Sequence, residues 1–298
     1  MMIITRASAM RKKTEEWKQQ GCSTGFVPTM GALHGGHLSL MNEARQKNDK
    51  VVVSIFVNPL QFGADEDYDT YPKNIEADAE TAGMANVDVI FAPPVDELYP
   101  RPVRTIVHVE KGVQVLCGRN RPGHFDGVAT VVMKLFQIIH PDNAYFGRKD
   151  AQQAAVVQNM ADDFNLSIDI VTCRTIRETD GLAVSSRNIY LTEKERKQAP
   201  QLYKSLLTAE EKVHQGERDV SVLEKVIHNS LVNHTDAEID YAEVLAYPEL
   251  ETFSSSSGQI ILAAAIRFSK ARLIDNIIVP LRDTKKGEKQ DVPDLDEI

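Results

Sequence analysis

The sequence predicts an α/β protein, a Rossmann-like parallel sheet with helices on both faces, followed by a smaller C-terminal α+β domain. Three observations predict it. Over the first 175 residues short β-rich apolar runs alternate with helical patterns, and that alternation implies parallel strands joined by crossover helices. From about Arg174 the texture changes to Glu-, Lys- and Gln-rich helical stretches and then three β-type runs, the order of an α+β unit. The chain has 298 residues, long for one hydrophobic core, which favours a large domain plus a small one.

The elements follow in order. Residues 2–5 read as a strand and residues 7–20 as a helix stopped by Gly21. A strand at 25–29, a helix at 36–48 and a fully apolar strand at 50–57 come next, then a helix at 74–85 and a strand at 87–92. After a proline-rich stretch, an apolar helix at 126–140 and a short strand at 144–146 precede a helix at 151–164 and a strand at 167–172. Two exposed helices are expected at 192–215 and 220–233, then strands at 239–246, 259–268 and 272–279, with Ser254 to Ser257 marking a flexible turn. The expected division is residues 1–175, a Rossmann-like domain; 176–283, a smaller α+β domain forming a lid; and 284–298, an acidic end read as disordered.

Composition narrows the function classes. The formal net charge is −9, and the last sixteen residues carry six acids against three bases. That balance argues against a general nucleic-acid binder, which would show a basic face, but not against a nucleotide, whose phosphates need only a few local cations. Cys22, Cys117 and Cys173 are widely spaced and odd in number, so neither a disulfide framework nor a cysteine zinc site is supported. No signal-type apolar core and no apolar run of about 18 residues is present, and a cytoplasmic location is the default expectation.

Five segments carry chemistry. Val27-Pro28-Thr29-Met30-Gly31-Ala32-Leu33-His34-Gly35-Gly36-His37 falls where a strand ends and a helix begins, the usual ligand crevice of an open α/β sheet. Its glycines let backbone approach a ligand, and the helix that follows offers N–H groups to phosphate. Two histidines three apart share one face of a helical turn; a metal pair or two surface histidines are the alternatives. Neither the Gly-Lys-Ser/Thr of a P-loop nor the order of a dinucleotide fingerprint is present. Phe56-Val57-Asn58-Pro59-Leu60-Gln61-Phe62-Gly63 follows the third strand, and the amides of Asn58 and Gln61 suit a polar substrate; a turn around Asn-Pro is the alternative. Phe146-Gly147-Arg148-Lys149-Asp150, with Gln152 and Gln153, again runs from strand to helix. Lys149 can hold phosphates as a mobile charge, Asp150 can be an N-cap, and Gln153 can point back to the crevice. Asp180-Gly181-Leu182-Ala183-Val184-Ser185-Ser186-Arg187-Asn188 reads by itself as a solvated linker, or as a clamp for triphosphate. Arg119, Arg121 and His124 precede the apolar helix and suit an anionic carboxylate; an N-cap at Asp126 or a subunit contact are the alternatives.

Taken in order, Pro28 to His37, Phe56 to Phe62, Gly123 to Val128, Phe146 to Gln153 and Ser185 to Asn188 closely resemble the pantoate–β-alanine ligase family, over about residues 1–283. The first motif is similar to the His-x-Gly-His signature of the wider nucleotidylyltransferase and class I aminoacyl-tRNA synthetase superfamily. The resemblance implies that ATP is held by Met30, Gly31, Ala32, Leu33, His34, Gly35, Gly36, His37, Gly147, Arg148, Lys149 and Asp150, with Ile176, Val184, Ser185, Ser186 and Arg187 completing the site. It implies pantoate binding by Gln61 and Gln153, to which Asn58 is added as a candidate, and β-alanine binding by Gln61. His37 is implied as the proton donor, sharing catalysis with His34 and Lys149, in a homodimer that needs magnesium. One departure concerns the metal. The adjacent aspartates suggested for magnesium in some members are replaced here by Glu76-Ala77-Asp78, and no ligands are assigned.

The implied reaction joins pantoate to β-alanine through a pantoyl-adenylate, releasing AMP and pyrophosphate. Three other readings remain open on the sequence: a nucleotidylyltransferase that stops at an adenylylated product, a non-catalytic ATP-sensing module, and, less favoured, a class I aminoacyl-tRNA synthetase fragment.

Overall fold

The computed structural model describes residues 1–63, 68–253 and 258–281. The turn expected at 254–257 and the acidic end at 284–298 lie outside the described residues.

The chain runs β1 (Met2–Ile4), α1 (Ala7–Gln19), β2 (Thr24–Thr29), α2 (Gly35–Lys47), β3 (Lys50–Ile55), α3 (Ile75–Met84) and β4 (Val89–Phe91). It continues through α4 (Val95–Leu98), α5 (Leu116–Arg119), α6 (His124–Ile139), β5 (Asn143–Gly147), α7 (Ala151–Asp163) and β6 (Asp169–Cys173). These six strands form one sheet in the order β1-β4-β3-β2-β5-β6, and every pairing is parallel. The strands alternate in the side chains they present. Phe26, Val52, Phe91, Ala144 and Phe146 pack on one face with Met10 and Trp17 of α1, α6 and α7. Val27, Val51, Val53, Ile90 and Tyr145 face the other way, against Leu40, Met41 and Ala44 of α2 and Ala82 of α3. Both faces are therefore covered, as an all-parallel sheet requires.

The C-terminal part comprises α8 (Glu193–Gln198), α9 (Gln201–His214), α10 (Val220–His234), β7 (Glu238–Tyr247), β8 (Gly258–Arg267) and β9 (Arg272–Leu281). Its three strands are antiparallel in the order β7-β8-β9. Leu202, Leu206, Leu223, Ile227 and Leu231 pack with Leu262, Ile266 and Val279 in a second core. Among the described residues no helix is long and apolar enough to cross a membrane.

Most expected elements are present with ends shifted by one or two residues, the ordinary uncertainty of helix and strand boundaries. Three differ more. The single helix expected at 192–215 is two, because Pro200 has no N–H to continue the ladder and α9 restarts behind it. The helices expected to be exposed bury one face each, through Leu206 and Ile227 among others. The apolar helix begins at His124 and not at Asp126, after Gly123 in the left-handed region at φ 76°.

Candidate active site

In the sheet order, β3 and β5 flank β2 on opposite sides, so the chain reverses direction across the sheet there. The carboxyl ends of β2 and β5 frame the crevice that this reversal opens. A cavity of about 130 Å³ occupies it, lined by His34, Gly36, His37, Gly147, Lys149, Asp150, Gln153, Ile176 and Val184. A larger cleft of about 740 Å³ adjoins it toward the C-terminal sheet. Lys149, Asp150 and Gln153 line both.

The histidines are built into the start of α2. His34 is its N-cap: Nδ1 accepts from Gly36 N–H at 3.1 Å, while His37 Nδ1 accepts from His34 N–H at 3.3 Å. The ring centroids lie 4.1 Å apart. With Nδ1 accepting in both rings, the proton of each neutral imidazole sits on Nε2. Burial lowers the pKa of His34, and the Lys149 charge adds to it. For His37, burial first and His34 second bring it down to about 3. At pH 7 both rings are neutral donors, not preformed cations.

The turn before them is held from outside. Thr29 Oγ1 donates to the Ser54 carbonyl at 2.7 Å and accepts from Gly31 N–H at 3.2 Å. The carboxylate of Asp78, only 3% exposed, accepts from Ala32 N–H at 3.2 Å and Leu33 N–H at 2.7 Å. Gly31 has φ +91°, and a Cβ there would stand 2.9 Å from Asp78 Oδ2, so conformation and space both select glycine.

Beyond β3, Asn58 heads a 3-10 turn, Pro59–Gln61. Its Oδ1 accepts from Leu60 N–H and from the Tyr99 hydroxyl. Its Nδ2 donates to Gly127 O at 3.0 Å and to Gln61 Oε1 at 3.2 Å. Asn58 is 1% exposed and its four hydrogen-bonding positions are taken by protein. The expectation that Asn58 contacts substrate meets a side chain held by the protein on every side; it bonds to Gln61, whose Nε2 lies 3.3 Å from Met30 Sδ. The Asn-Pro turn and the amide site are thus one structure. Gln61 O accepts from His124 Nδ1 at 2.7 Å, and Arg121 Nη1 lies 3.0 Å from His124 Nε2.

Asp150 occupies the N-cap position of α7 without capping it, and it lines both cavities. Asp126 is no N-cap either; its carboxylate holds Val109 N–H and His108 Nδ1, each at 2.9 Å. Arg119 pairs with Glu243, while Arg121 and His124 line the larger cleft. The segment that looked like a solvated linker is an organised loop. Val184 N–H donates to Ile176 O at 2.9 Å, and Ser185 Oγ caps the 3-10 turn Ser186–Tyr190 through Arg187 N–H. Asn188 Nδ2 ties it to Ala183 O. Ser185 and Arg187 face the larger cleft.

Of the residues expected at the site, Met30, Gly31, Ala32, Leu33, Gly35, Asn58, Gln61, Arg148 and Ser186 line neither cavity. They shape the walls from behind or lie beside them. Pro28, Arg174 and Thr175 line the smaller cavity and were not anticipated, although Arg174 and Thr175 follow the end of β6, where the rule about strand ends points.

A magnesium site does not emerge from these side chains. Asp78 has both carboxylate oxygens engaged by backbone N–H groups, and among the described residues no group of three or more His, Cys, Asp or Glu gathers to hold a metal.

Comparison with known proteins identifies the family. The family described as pantoate-beta-alanine ligase matches residues 2–278. A Halalkalibacterium halodurans protein named pantothenate synthetase is 53% identical over 280 residues, covering 94% of this chain and 99% of the relative. A Bacillus subtilis protein of the same name is 50% identical, with 96% and 100% covered. Among solved structures, pantothenate synthetase from Thermus thermophilus superposes with a TM-score of 0.84 at 42% identity, covering 93% of this chain and 99% of that one. The Francisella tularensis pantoate-beta-alanine ligase, complexed with beta-gamma ATP and beta-alanine, gives 0.74 at 33% identity, with 93% and 97% covered.

Proposed function

The chain belongs to the pantoate–β-alanine ligase family, and from that premise we propose that it condenses pantoate with β-alanine, using ATP and passing through pantoyl-adenylate. The observation that carries this reading is the meeting of His34, His37, Lys149 and Gln153 around one crevice at the carboxyl ends of β2 and β5.

A pantoate carboxylate oxygen attacks the α-phosphorus of ATP. The bond to the bridging oxygen breaks and pyrophosphate leaves. The amine of β-alanine then attacks the acyl carbonyl, AMP departs with the bonding pair, and the amine gives up its extra proton to solvent. No side chain forms a covalent bond. The protein acts by positioning and by charge compensation. The Nε2–H groups of His34 and His37 and the ammonium of Lys149 face the phosphates, with the first N–H groups of α2 beside them. Gln153, and Gln61 held by Asn58, orient pantoate; Gln61 also faces β-alanine. The loop carrying Val184, Ser185, Ser186 and Arg187 closes over the nucleotide, and Ile176 packs at its root. The C-terminal unit, residues 176–283, serves as the lid of the cleft. Magnesium would come bound to the nucleotide phosphates, where it would offset part of their charge, rather than be held by a cluster of carboxylates among the described residues of this chain.

The homodimer and the cytoplasmic location belong to the same reading. Residues 102–110 run along α6, with Val107 N–H on Thr130 Oγ1 and Val109 N–H on Asp126, and what supports the dimer is the apolar side chain this stretch turns outward. Ile106 is 54% exposed there. Ile106→Glu is expected to shift the sedimenting species from dimer to monomer.

The function is tested by mass spectrometry of the products from ATP, pantoate and β-alanine. Pantothenate, AMP and pyrophosphate in equal amounts are expected. AMP release that does not depend on β-alanine would point to another acceptor.

A further inference from the structure

We propose that Asn276, in β9, is a positioning residue for Lys149, coupling the C-terminal sheet to nucleotide binding through the backbone of the turn that carries the lysine. The proposal rests on the reading of Lys149 as a phosphate ligand.

Asn276 is 9% exposed, and β9 is an edge strand among the described residues, with one side toward the turn Arg148–Asp150. Its Nδ2 donates to the carbonyl oxygens of Arg148 and Lys149, both at 2.9 Å. Those carbonyls belong to the 3-10 turn Arg148–Asp150, which leads straight into α7, and each carbonyl oxygen has a second lone pair to offer. One amide group with two hydrogens serves both. The turn cannot rotate about its axis without losing both bonds, and the Cα of Lys149 is thereby fixed relative to His34 and His37.

The preceding residue does the same for the opposite wall. Asp275, 2% exposed, holds Arg177 in a two-pronged pair at 2.5 and 3.0 Å. Arg177 stacks on Tyr203 at 3.4 Å, donates to Gly181 O at 3.1 Å, and pairs through its backbone with Ala183. Two consecutive residues of β9 thus grip the root of the serine–arginine loop and the lysine turn. A shift of β9 moves both walls together.

The side chain at 276 must donate twice. Asp has nearly the shape of Asn but would aim a carboxylate at two carbonyl oxygens, so a purely space-filling role and a donor role predict opposite results for Asn276→Asp. The test is a double-mutant cycle on ATP affinity, measured by calorimetry on the full chain with Asn276→Asp, Lys149→Ala and the pair. Asn276→Asp is expected to weaken ATP binding and slow adenylate formation on the order of 10²-fold, the scale of a misplacement of about 1 Å, with KM for β-alanine unmoved. In the Lys149→Ala background the same change should add less than about twofold, since coupled residues are not additive. Wild-type ATP affinity in Asn276→Asp overturns the proposal, as does full additivity. If the parent protein itself binds no ATP, the nucleotide-site reading falls, and this proposal with it, a result distinct from indifference at Asn276. Should Asn276→Asp fail to fold, Asn276→Ser goes through the same cycle. Its single O–H can serve one carbonyl, so a smaller, Lys149-dependent loss is expected, and unchanged affinity overturns the proposal.

Discussion

At the scale of single residues, the His37 ring is pulled well below the ordinary imidazole pKa. Its Nδ1 is occupied by His34 N–H, and its pKa falls to about 3 through burial and the neighbouring ring. Two consequences follow. Removing one preorganised donor to a developing phosphate charge costs on the order of 10²–10³ in rate, so His37→Ala should lower single-turnover AMP release by that factor; an unchanged rate sinks the role. The second consequence concerns stability. Between about pH 3 and the ordinary imidazole value of 6.5 the unfolded chain binds a proton that the folded chain does not, so His37 favours folding fully above 6.5 and progressively less as pH falls. His37→Gln should flatten that decline, by on the order of 3 kcal/mol at pH 4. Urea midpoints at pH 7 and pH 4 measure it, and parallel losses in parent and variant would contradict it. The two histidines and Lys149 were legible in the sequence because a glycine-rich turn after a strand is itself a signal. Asp78 and Asn276 were not. Each acts on backbone atoms far away in the chain, 45 residues for Asp78 and 127 for Asn276, and no local pattern records such a contact.

At the scale of elements, the site depends on turns clamped by neighbouring helices. Asp78 of α3 fixes the turn after β2 through Ala32 N–H and Leu33 N–H, so this helix serves as a brace. Asp78→Asn keeps one acceptor oxygen but turns an N–H toward a backbone N–H; it should raise KM for ATP by roughly tenfold, the scale of about 1.4 kcal/mol, with KM for β-alanine unchanged. A matching rise for both substrates would mean general loosening. The second clamp is α6 against the turn Pro59–Gln61. A Cβ at Gly127 would stand 2.3 Å from the Leu60 carbonyl oxygen, and Gly127 O holds Asn58 Nδ2. Gly127→Ala therefore pushes the turn away and carries Gln61 with it. KM for pantoate should rise more than KM for ATP; the reverse would detach Gln61 from pantoate. The strand-to-helix turns were visible in the sequence, but the separate helices at 193–198 and 201–214 were read as one. Proline can sit at the first turn of a helix as easily as inside a broken one, and the apolar spacing runs through both.

At the scale of the whole molecule, the change of texture near Arg174 coincides with a change from a parallel to an antiparallel sheet, and the two parts, each with a core of its own, also share an apolar seam. Leu116, Ala151 and Ala155 from the larger part pack with Tyr241, Leu245, Ile261, Ala263 and Ala265 of the C-terminal sheet. Gln152, 6% exposed, fastens Gly112 O, Val115 O and Cys117 N–H on the same border, and Asn120 and Arg272 share Asp240. A seam that combines apolar packing with hydrogen bonds across the border is expected to transmit unfolding from one side to the other. Trp17, the single tryptophan, lies in α1 within the core of the larger part and reports only on that part. Far-UV circular dichroism reports on both. The two probes should trace one coincident urea transition, as two-state unfolding requires. Ile261→Ala, on the C-terminal side of the seam and 1% exposed, should cost about 2–5 kcal/mol and move the Trp17 transition as far as the dichroism. If the tryptophan curve stays in place while the dichroism splits, the parts unfold independently, and the grip of β9 on the lysine turn would be a contact between bodies that can separate.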